Sequence, residues 1–444
     1  MKSNPAKKRS SGVSRRDFLR RTAAVAAGAY VGPMIVPASA LGLGQTVAPS
    51  NRIVMGCIGV GSQGTGNLEG FLEKKDFQFV SVCDVDRGHR ENAMSIINGT
   101  YGNKDCKGYN DFREMLERTD LDGVSIAVPD HWHSIPAIAA ANKKLDIYAE
   151  KPLSLTIVEG RAMVEAVHRN GVVWQTGSWQ RSRDNFLHAC ELVRSGRIGR
   201  VHTVKVGLPT GSPIEMQPVM PIPEGFDYNF WLGPAPEAPY TEKRCHWNFR
   251  WILDYSGGQL TDWAAHHCDI ANWGMGTEAS GPVEVEGAGV FPRDGLWNAA
   301  TDYEFNATFP KGVSPVSPDG FVMNVSNKNE MGARFEGEDG WIYVTRGDQS
   351  SGPGDLIASE IGEKDVRLYR SDDHAQNFID CVRSRKETVA PIAAAHHAIV
   401  IAHLGNIAMQ LGRKVRWDPE KEEFTDDPQA SRMLARAMRG DWHI

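Results

Sequence analysis

Between positions 52 and 176, short apolar runs alternate with stretches whose apolar residues recur at helical spacing. The runs cover residues 52–58 (RIVMGCI), 77–83, 123–128, 145–149 and 172–176. Their apolar character is nearly continuous, which is how strands buried on both faces read. Residues 65–74, 111–118, 135–142 and 157–169 carry the helical pattern between them. The alternation predicts a doubly wound parallel sheet, an α/β fold with its ligand chemistry at the carboxyl ends of the strands.

After Gln175 the pattern changes. Residues 201–208, 283–290, 302–309, 320–325 and 340–344 read as strands with little helix between them. Such a succession predicts an open, mostly antiparallel sheet in a second α/β domain. A helix is expected from Leu260, and long helical patterns fill 373–413. The expected division is a leader at 1–40, a Rossmann domain at 50–177, a second domain at 178–425 that includes the helices at 373–413, and a tail at 426–444. Residues 419–427 read as a charged, solvated connector.

The first strand runs into Gly59-Val60-Gly61-Ser62-Gln63-Gly64. In this fingerprint the first glycine permits the tight turn, the second admits a pyrophosphate to the backbone, and the third lets helix and strand pack closely. The helix N-terminus adds free N–H groups and partial positive charge. Asp84 follows about 20 residues past Gly64, where an acid meets the adenosine ribose diol. Its carboxylate would repel a 2′-phosphate, so NAD is favoured over NADP, a preference moderated by Arg87 and Arg90.

Composition adds little until the chain is divided. The 444 residues are 41% hydrophobic and 23% charged, with a formal net charge of −6. That profile excludes disordered, collagen-like and multi-span membrane classes and argues against nucleic-acid binding. Residues 1–40 hold eight basic residues and one acid, so the remainder carries about −13. They contain Ser14-Arg15-Arg16-Asp17-Phe18-Leu19, a weakly apolar run, and Ala38-Ser39-Ala40. This order reads as a twin-arginine export signal. It implies a translocase partner, an extracytoplasmic destination and no stable membrane span after processing. The seven cysteines are odd in number and lack a C-x-x-C pair, so free buried thiols are expected rather than disulfides or zinc.

Two strand ends carry unusual residues, Val128-Pro129-Asp130-His131-Trp132-His133 and Glu150-Lys151-Pro152. The order GxGxxG, P-x-x-x-H, E-K-P resembles the Gfo/Idh/MocA family of glucose–fructose oxidoreductases and inositol dehydrogenases. The resemblance implies a nicotinamide-dependent oxidoreductase acting on a sugar, glycoside or cyclitol hydroxyl, and a homo-oligomer supported by the second sheet. It places Lys151 beside the nicotinamide and the reacting hydroxyl, where an ammonium stabilises a developing alkoxide. It brings Pro129, His133 and Glu150 to the cofactor, with Glu150 orienting the loop or touching the ribose. His131 reads as structural.

Asp262, His266 and Asp269 share one helix face by spacing. A carboxylate one turn from an imidazole can fix its tautomer and raise its basicity, which suits proton removal as hydride leaves. The family has such a pair in its site, and Asp262 and His266 match it. An aromatic loop at 221–256 could pack on sugar rings or on itself, with Arg250, His246 and Asp254 available for hydroxyls. Arg250 and Arg181 are the expected substrate contacts beside His266. His396, His397 and His403 lack a partner at ligand spacing, so no metal is expected. A tightly held NAD suits an exported enzyme, and C3 of a glycoside is one candidate position for oxidation. Two alternatives stay open: an NAD-dependent glycosidase working by oxidation, elimination, hydration and reduction, and a non-catalytic sugar-binding relative.

Overall fold

Residues 47–444 are described in a computed structural model; the expected export leader lies outside the described residues. Six parallel strands form the first sheet: β1 (Ile53–Ile58), β2 (Phe77–Cys83), β3 (Lys107–Tyr109), β4 (Gly123–Ile126), β5 (Asp146–Ala149) and β6 (Trp174–Thr176). Their order is β3-β2-β1-β4-β5-β6. The chain reverses direction across the sheet between β1 and β4, and a crevice opens there at the strand ends. The continuous apolar runs are explained by burial, since every residue of β4 and β5 is buried.

Helix α1 (Ser62–Leu72) follows β1, α2 (Arg87–Tyr101) follows β2, and α3 (Ser134–Asn142) and α4 (Ile157–Asn170) follow β4 and β5. The pattern of apolar residues did not predict α2, because only Ala93 and Ile97 are buried in it. Its start is set by Asp86, whose carboxylate accepts from Gly88 N and His89 N. Helix α4 opens on a capping box between Thr156 and Glu159, each member satisfying an orphan amide of the other's turn. The helix expected at 111–118 shrinks to one turn, Phe112–Met115.

The second sheet has nine strands: β7 (Val201–Gly207), β8 (Glu284–Val290), β9 (Asp302–Phe309), β10 (Phe321–Ser326), β11 (Gly332–Gly337), β12 (Trp341–Thr345), β13 (Asp348–Gly352), β14 (Val415–Asp418) and β15 (Glu423–Phe424). They lie in the order β13-β12-β11-β7-β10-β9-β8-β14-β15. Only β7 and β10 run parallel; the other neighbours are antiparallel. Before the second sheet's strands are complete, the chain lays down α5 (Asp184–Arg194) and α6 (Gly258–Met275), and after β13 it adds α7 (His374–Ser384) and α8 (Ile392–Leu411). Helix α8 packs on β8, β9 and α6, while α6 packs on β7 and β11. Phe305, Phe335, Met323 and Ile401 are fully buried in that core. Helix α8 is the one described helix long and apolar enough to cross a membrane, and it is mostly buried in the protein.

The charged segment at 419–427 is largely exposed, as expected of a solvated connector, but it is anchored at Glu422 and Phe424. Glu422 is 9% exposed; it accepts from Arg161 Nε at 2.6 Å and pairs with His396 Nε2 at 2.6 Å. Its charge is matched, and Phe424 packs on Trp417 across β14 and β15. All seven cysteines are free and buried.

Candidate active site

A cleft of about 330 Å³ opens where the first sheet reverses, lined by Gly59, Gly61, Ser62, Gln63, Asp84, Pro129, Glu150 and Lys151. Gly59 has φ +80°, and a Cβ there would stand 2.5 Å from the Ala127 carbonyl oxygen. A Cβ on Gly64 would stand 2.1 Å from the Gly59 oxygen, so the strand–helix turn closes only around these two glycines. Gly61, the residue before α1, offers no side-chain cap. The first amides of an eleven-residue helix are thus left for a ligand, and the anion such a terminus attracts is a phosphate. These features fit a dinucleotide.

Asp84 Oδ2 accepts from Val60 N at 2.8 Å and Oδ1 from Asp86 N at 2.9 Å, which fixes the carboxylate against the Gly-rich turn. His89 Nδ1 lies 3.7 Å from Asp84, and that contact raises its pKa. The ligand atoms of Asp86, His89 and His246 lie within 4.8 Å of one another. Asp86 already caps α2, and His89 already faces Asp84. His246 belongs to this end of the cleft, not to the hydroxyl-reading group expected from the sequence. Burial lowers its pKa.

Lys151 stands at the other end, just past β5, and its peptide bond to Pro152 is cis. Lys151 Nζ donates to Asp262 Oδ1 at 2.6 Å, and Arg250 Nε lies 3.9 Å from Asp262 Oδ2. The expected Asp262–His266 pair is therefore replaced by an Asp262–Lys151 pair. An ammonium and a guanidinium offer the carboxylate charge-assisted bonds that a neutral imidazole does not. His266 is 4% exposed, and its Nδ1 has no partner among the described residues. Burial first, then the charges of Lys151 and Arg346, hold it far below the ordinary histidine range. Its Nδ1 is open to a hydrogen bond, while burial and the two neighbouring cations oppose a charged imidazolium. Glu150 accepts from Asn67 Nδ2 at 2.9 Å and Gln63 Nε2 at 3.3 Å, which ties the loop after β5 to α1.

Two further expectations are corrected. Arg181 is 2% exposed and is not a substrate contact. Its guanidinium makes two 2.7 Å bonds to buried Asp269 and one to half-buried Glu278, so its donors are spent on these two carboxylates. His133 does not line the cleft. Its Nδ1 lies 2.6 Å from Pro152 O and its Nε2 2.8 Å from Val128 O, so it ties the two strand-end loops together. The aromatic loop packs mainly on itself, with Phe226, Tyr228, Trp231, Tyr240, Phe249 and Tyr255 in one cluster. Phe226, Phe230, Trp231, Trp247 and Phe249 also line the dinucleotide cleft. Arg250 lines the cleft, with its guanidinium 4.3 Å from the Trp247 ring centroid. His131 is structural, its Nε2 lying 3.1 Å from Trp231 O. His396 is held by Glu422 and His403 by Ser154 O at 3.1 Å.

Sequence reasoning missed two groups. Arg346, on the turn after β12, lies 4.6 Å and 4.4 Å from the ring centroids of Trp179 and Trp263, beside His266. Asp130 lines the cleft at 4% exposure and accepts from Ser256 Oγ at 2.5 Å. Asp130 was visible in the P-x-x-x-H motif, but its partner is 126 residues away.

A model described as oxidoreductase family, NAD-binding Rossmann fold, matches residues 53–178. Another, described as oxidoreductase family, C-terminal alpha/beta domain, matches 191–444. The chain is 27% identical over 237 residues to myo-inositol 2-dehydrogenase of Thermotoga maritima, covering 52% of this chain and 59% of that protein. It is 28% identical over 206 residues to glycosyl hydrolase family 109 protein 1 of a Shewanella species, covering 43% of this chain and 44% of that protein. The chain thus spans roughly half the length of these curated relatives. Two solved structures share the fold. Aldose-aldose oxidoreductase from Caulobacter crescentus has a TM-score of 0.58 and 17% identity, covering 82% of this chain and 99% of that one. The WlbA dehydrogenase from Bordetella pertussis, in complex with NADH and UDP-GlcNAcA, has a TM-score of 0.58 and 16% identity, covering 83% and 99%.

Proposed function

The chain belongs to the Gfo/Idh/MocA family of oxidoreductases, and from that premise we propose that it oxidises a hydroxyl of a sugar, glycoside or cyclitol with NAD. The observation that carries the reading is the Lys151–Asp262 pair, 2.6 Å long, whose lysine lines the same cleft as the dinucleotide cradle. Gly59, Gly61, Ser62, Gln63 and Asp84 would hold the cofactor, whose nicotinamide supplies a hydride acceptor when bound. Lys151 steadies the substrate oxygen as negative charge develops on it. Asp262 keeps that ammonium in place. Neutral His266 takes the hydroxyl proton, and Arg250 holds neighbouring hydroxyls. Trp179 and Trp263 offer flat faces to the C–H side of a sugar ring.

The test is to purify the protein, identify the bound nucleotide by mass, and offer a panel of polyols, aldoses and glycosides. A carbonyl product with stoichiometric reduction of the cofactor is expected, and His266→Ala should slow it by about 10²–10⁴-fold. Turnover untouched by His266→Ala would sink the mechanism. The similarity to glycosyl hydrolase family 109 favours a second reading, a glycosidase with bound NAD. Release of the aglycone from an aryl glycoside without net NADH would establish that instead.

NAD is preferred to NADP on the strength of Asp84. Asp84→Ser should weaken NAD by about ten- to a hundredfold, the worth of a hydrogen bond to a charged group. Protein-fluorescence titration with both nucleotides measures this, and an unchanged NAD affinity would remove Asp84 from the ribose. The leader at 1–40 supports export by the twin-arginine translocase after folding. A cofactor kept through many turnovers and recycled by a second sugar suits that setting. The second sheet offers the surface for a homo-oligomer.

A further inference from the structure

Oxidising an alcohol to a carbonyl releases a hydride from carbon and a proton from oxygen, and the proton must leave. His266 would hold it among Lys151 and Arg346, two cations that oppose an imidazolium. Lys151 lines the same cleft as Asp130, and its charge acts on both Asp130 and His266. Asp130 shares the cleft wall with Lys151 and Arg250. Its hydrogen-bonding partner among the described residues is Ser256, fully buried, at 2.5 Å.

Ser256 in turn lines a second cavity, of about 240 Å³. That volume holds several waters. Asn406 also lines it, is 6% exposed, and has a side-chain oxygen with no partner among the described residues. A buried amide oxygen in that position calls for water. The exposed residues Gln410 and Arg432 rim the cavity and connect it to solvent.

We infer that Asp130 and Ser256 form a proton outlet from the catalytic cleft to this second cavity. The inference rests on the dehydrogenase reading above. The hydroxyl O–H breaks as the proton passes to His266. Lys151 gives one of its protons to the Asp130 carboxylate, and the amine so formed takes the proton held by the imidazolium. Asp130 passes that proton to the Ser256 oxygen, and the serine hydroxyl releases its own to a cavity water. One proton leaves the substrate oxygen and one reaches solvent; every intermediate carrier returns to its starting state. Reduction of a carbonyl runs the path in reverse.

The charges facing Asp130 are those of Arg250, Asp262 and Lys151, and His403, Arg432 and Arg436 line the cavity beyond Ser256. Burial pushes the Asp130 carboxyl up to about 7, against the opposing pull of Ser256 and Arg250. Below that pH it is protonated and cannot accept, so oxidation should rise as pH climbs through about 7.

Asp130→Asn and Ser256→Ala are compared with the intact protein carrying its bound dinucleotide. Oxidation rates, solvent deuterium isotope effects and proton release to an indicator dye are followed across pH. An infrared pH titration of the protonated carboxyl band is run without substrate. Asp130→Asn should keep KM, slow proton release by roughly tenfold or more, flatten the pH rise, and delete a carboxyl band that titrates near pH 7. Ser256→Ala should slow release while keeping the band, and Ser256→Thr should restore it. If wild-type protein turns over and both variants release protons at the wild-type rate with an unchanged pH profile, the outlet is overturned alone. If wild-type protein oxidises nothing in the panel, the function and the outlet fall together.

Discussion

Replacing Lys151 by methionine is expected to lower turnover by about 10²–10³-fold, the usual cost of deleting one donor to a developing oxyanion. The dinucleotide should stay bound, because the cradle of Gly59, Gly61 and the start of α1 does not use the ammonium. Asp262 is left with Arg250, already 3.9 Å away. The two side chains are 16% and 14% exposed in the Lys151–Asp262 pair, so water and Arg250 soften the loss and the fold should survive. Steady-state rates together with nucleotide content of the purified variant check this. A kcat within a factor of a few of wild type, at full nucleotide occupancy, would exclude Lys151 from the chemistry.

The largest effect on stability is expected at Arg181. Arg181→Leu strands Asp269, which is 2% exposed, and removes one partner of Glu278. Breaking one side of a buried pair costs about 3–5 kcal/mol, because a charge is left in a low-dielectric interior. Urea unfolding should show that loss. The double variant Arg181→Leu with Asp269→Leu should recover much of it, since the orphaned charge is gone. Protein that remains folded should keep its KM for substrate, which separates this structural role from the substrate contact that position 181 suggests in the sequence. A raised KM at unchanged stability would reverse the assignment.

These two positions mark where the sequence can be read and where it cannot. The β1–turn–α1 unit is legible because everything that builds it is local: a buried strand, a glycine with positive φ, and a helix start within a few residues. Lys151 is legible for the same reason, as the end of a short buried strand. Its partner is not, because Asp262 is 111 residues away, and helical spacing together with the family resemblance pointed that carboxylate at His266. Arg181 looked like a free cation because Asp269 and Glu278 lie 88 and 97 residues on. In the second sheet, β9 was legible from its strict alternation of buried and exposed positions. The polar edge strand β13 (DQSSG) carries almost no apolar signal, and its pairing with β12 supplies what its own sequence lacks. Trp179, Trp263 and Arg346 converge from three separate elements, so no motif could announce them.

The seven free thiols have a consequence for how long this protein lasts. Folded, each sulfur is buried and inert to exchange, since reactivity follows thiolate character and access. Unfolded in an oxidising solvent, seven thiols pair at random, and an odd number always leaves one to link two chains. Refolding then competes with irreversible cross-linking. The lifetime of the protein in such a place is set by how rarely it opens, a kinetic barrier, and not by the free-energy difference between its folded and unfolded states.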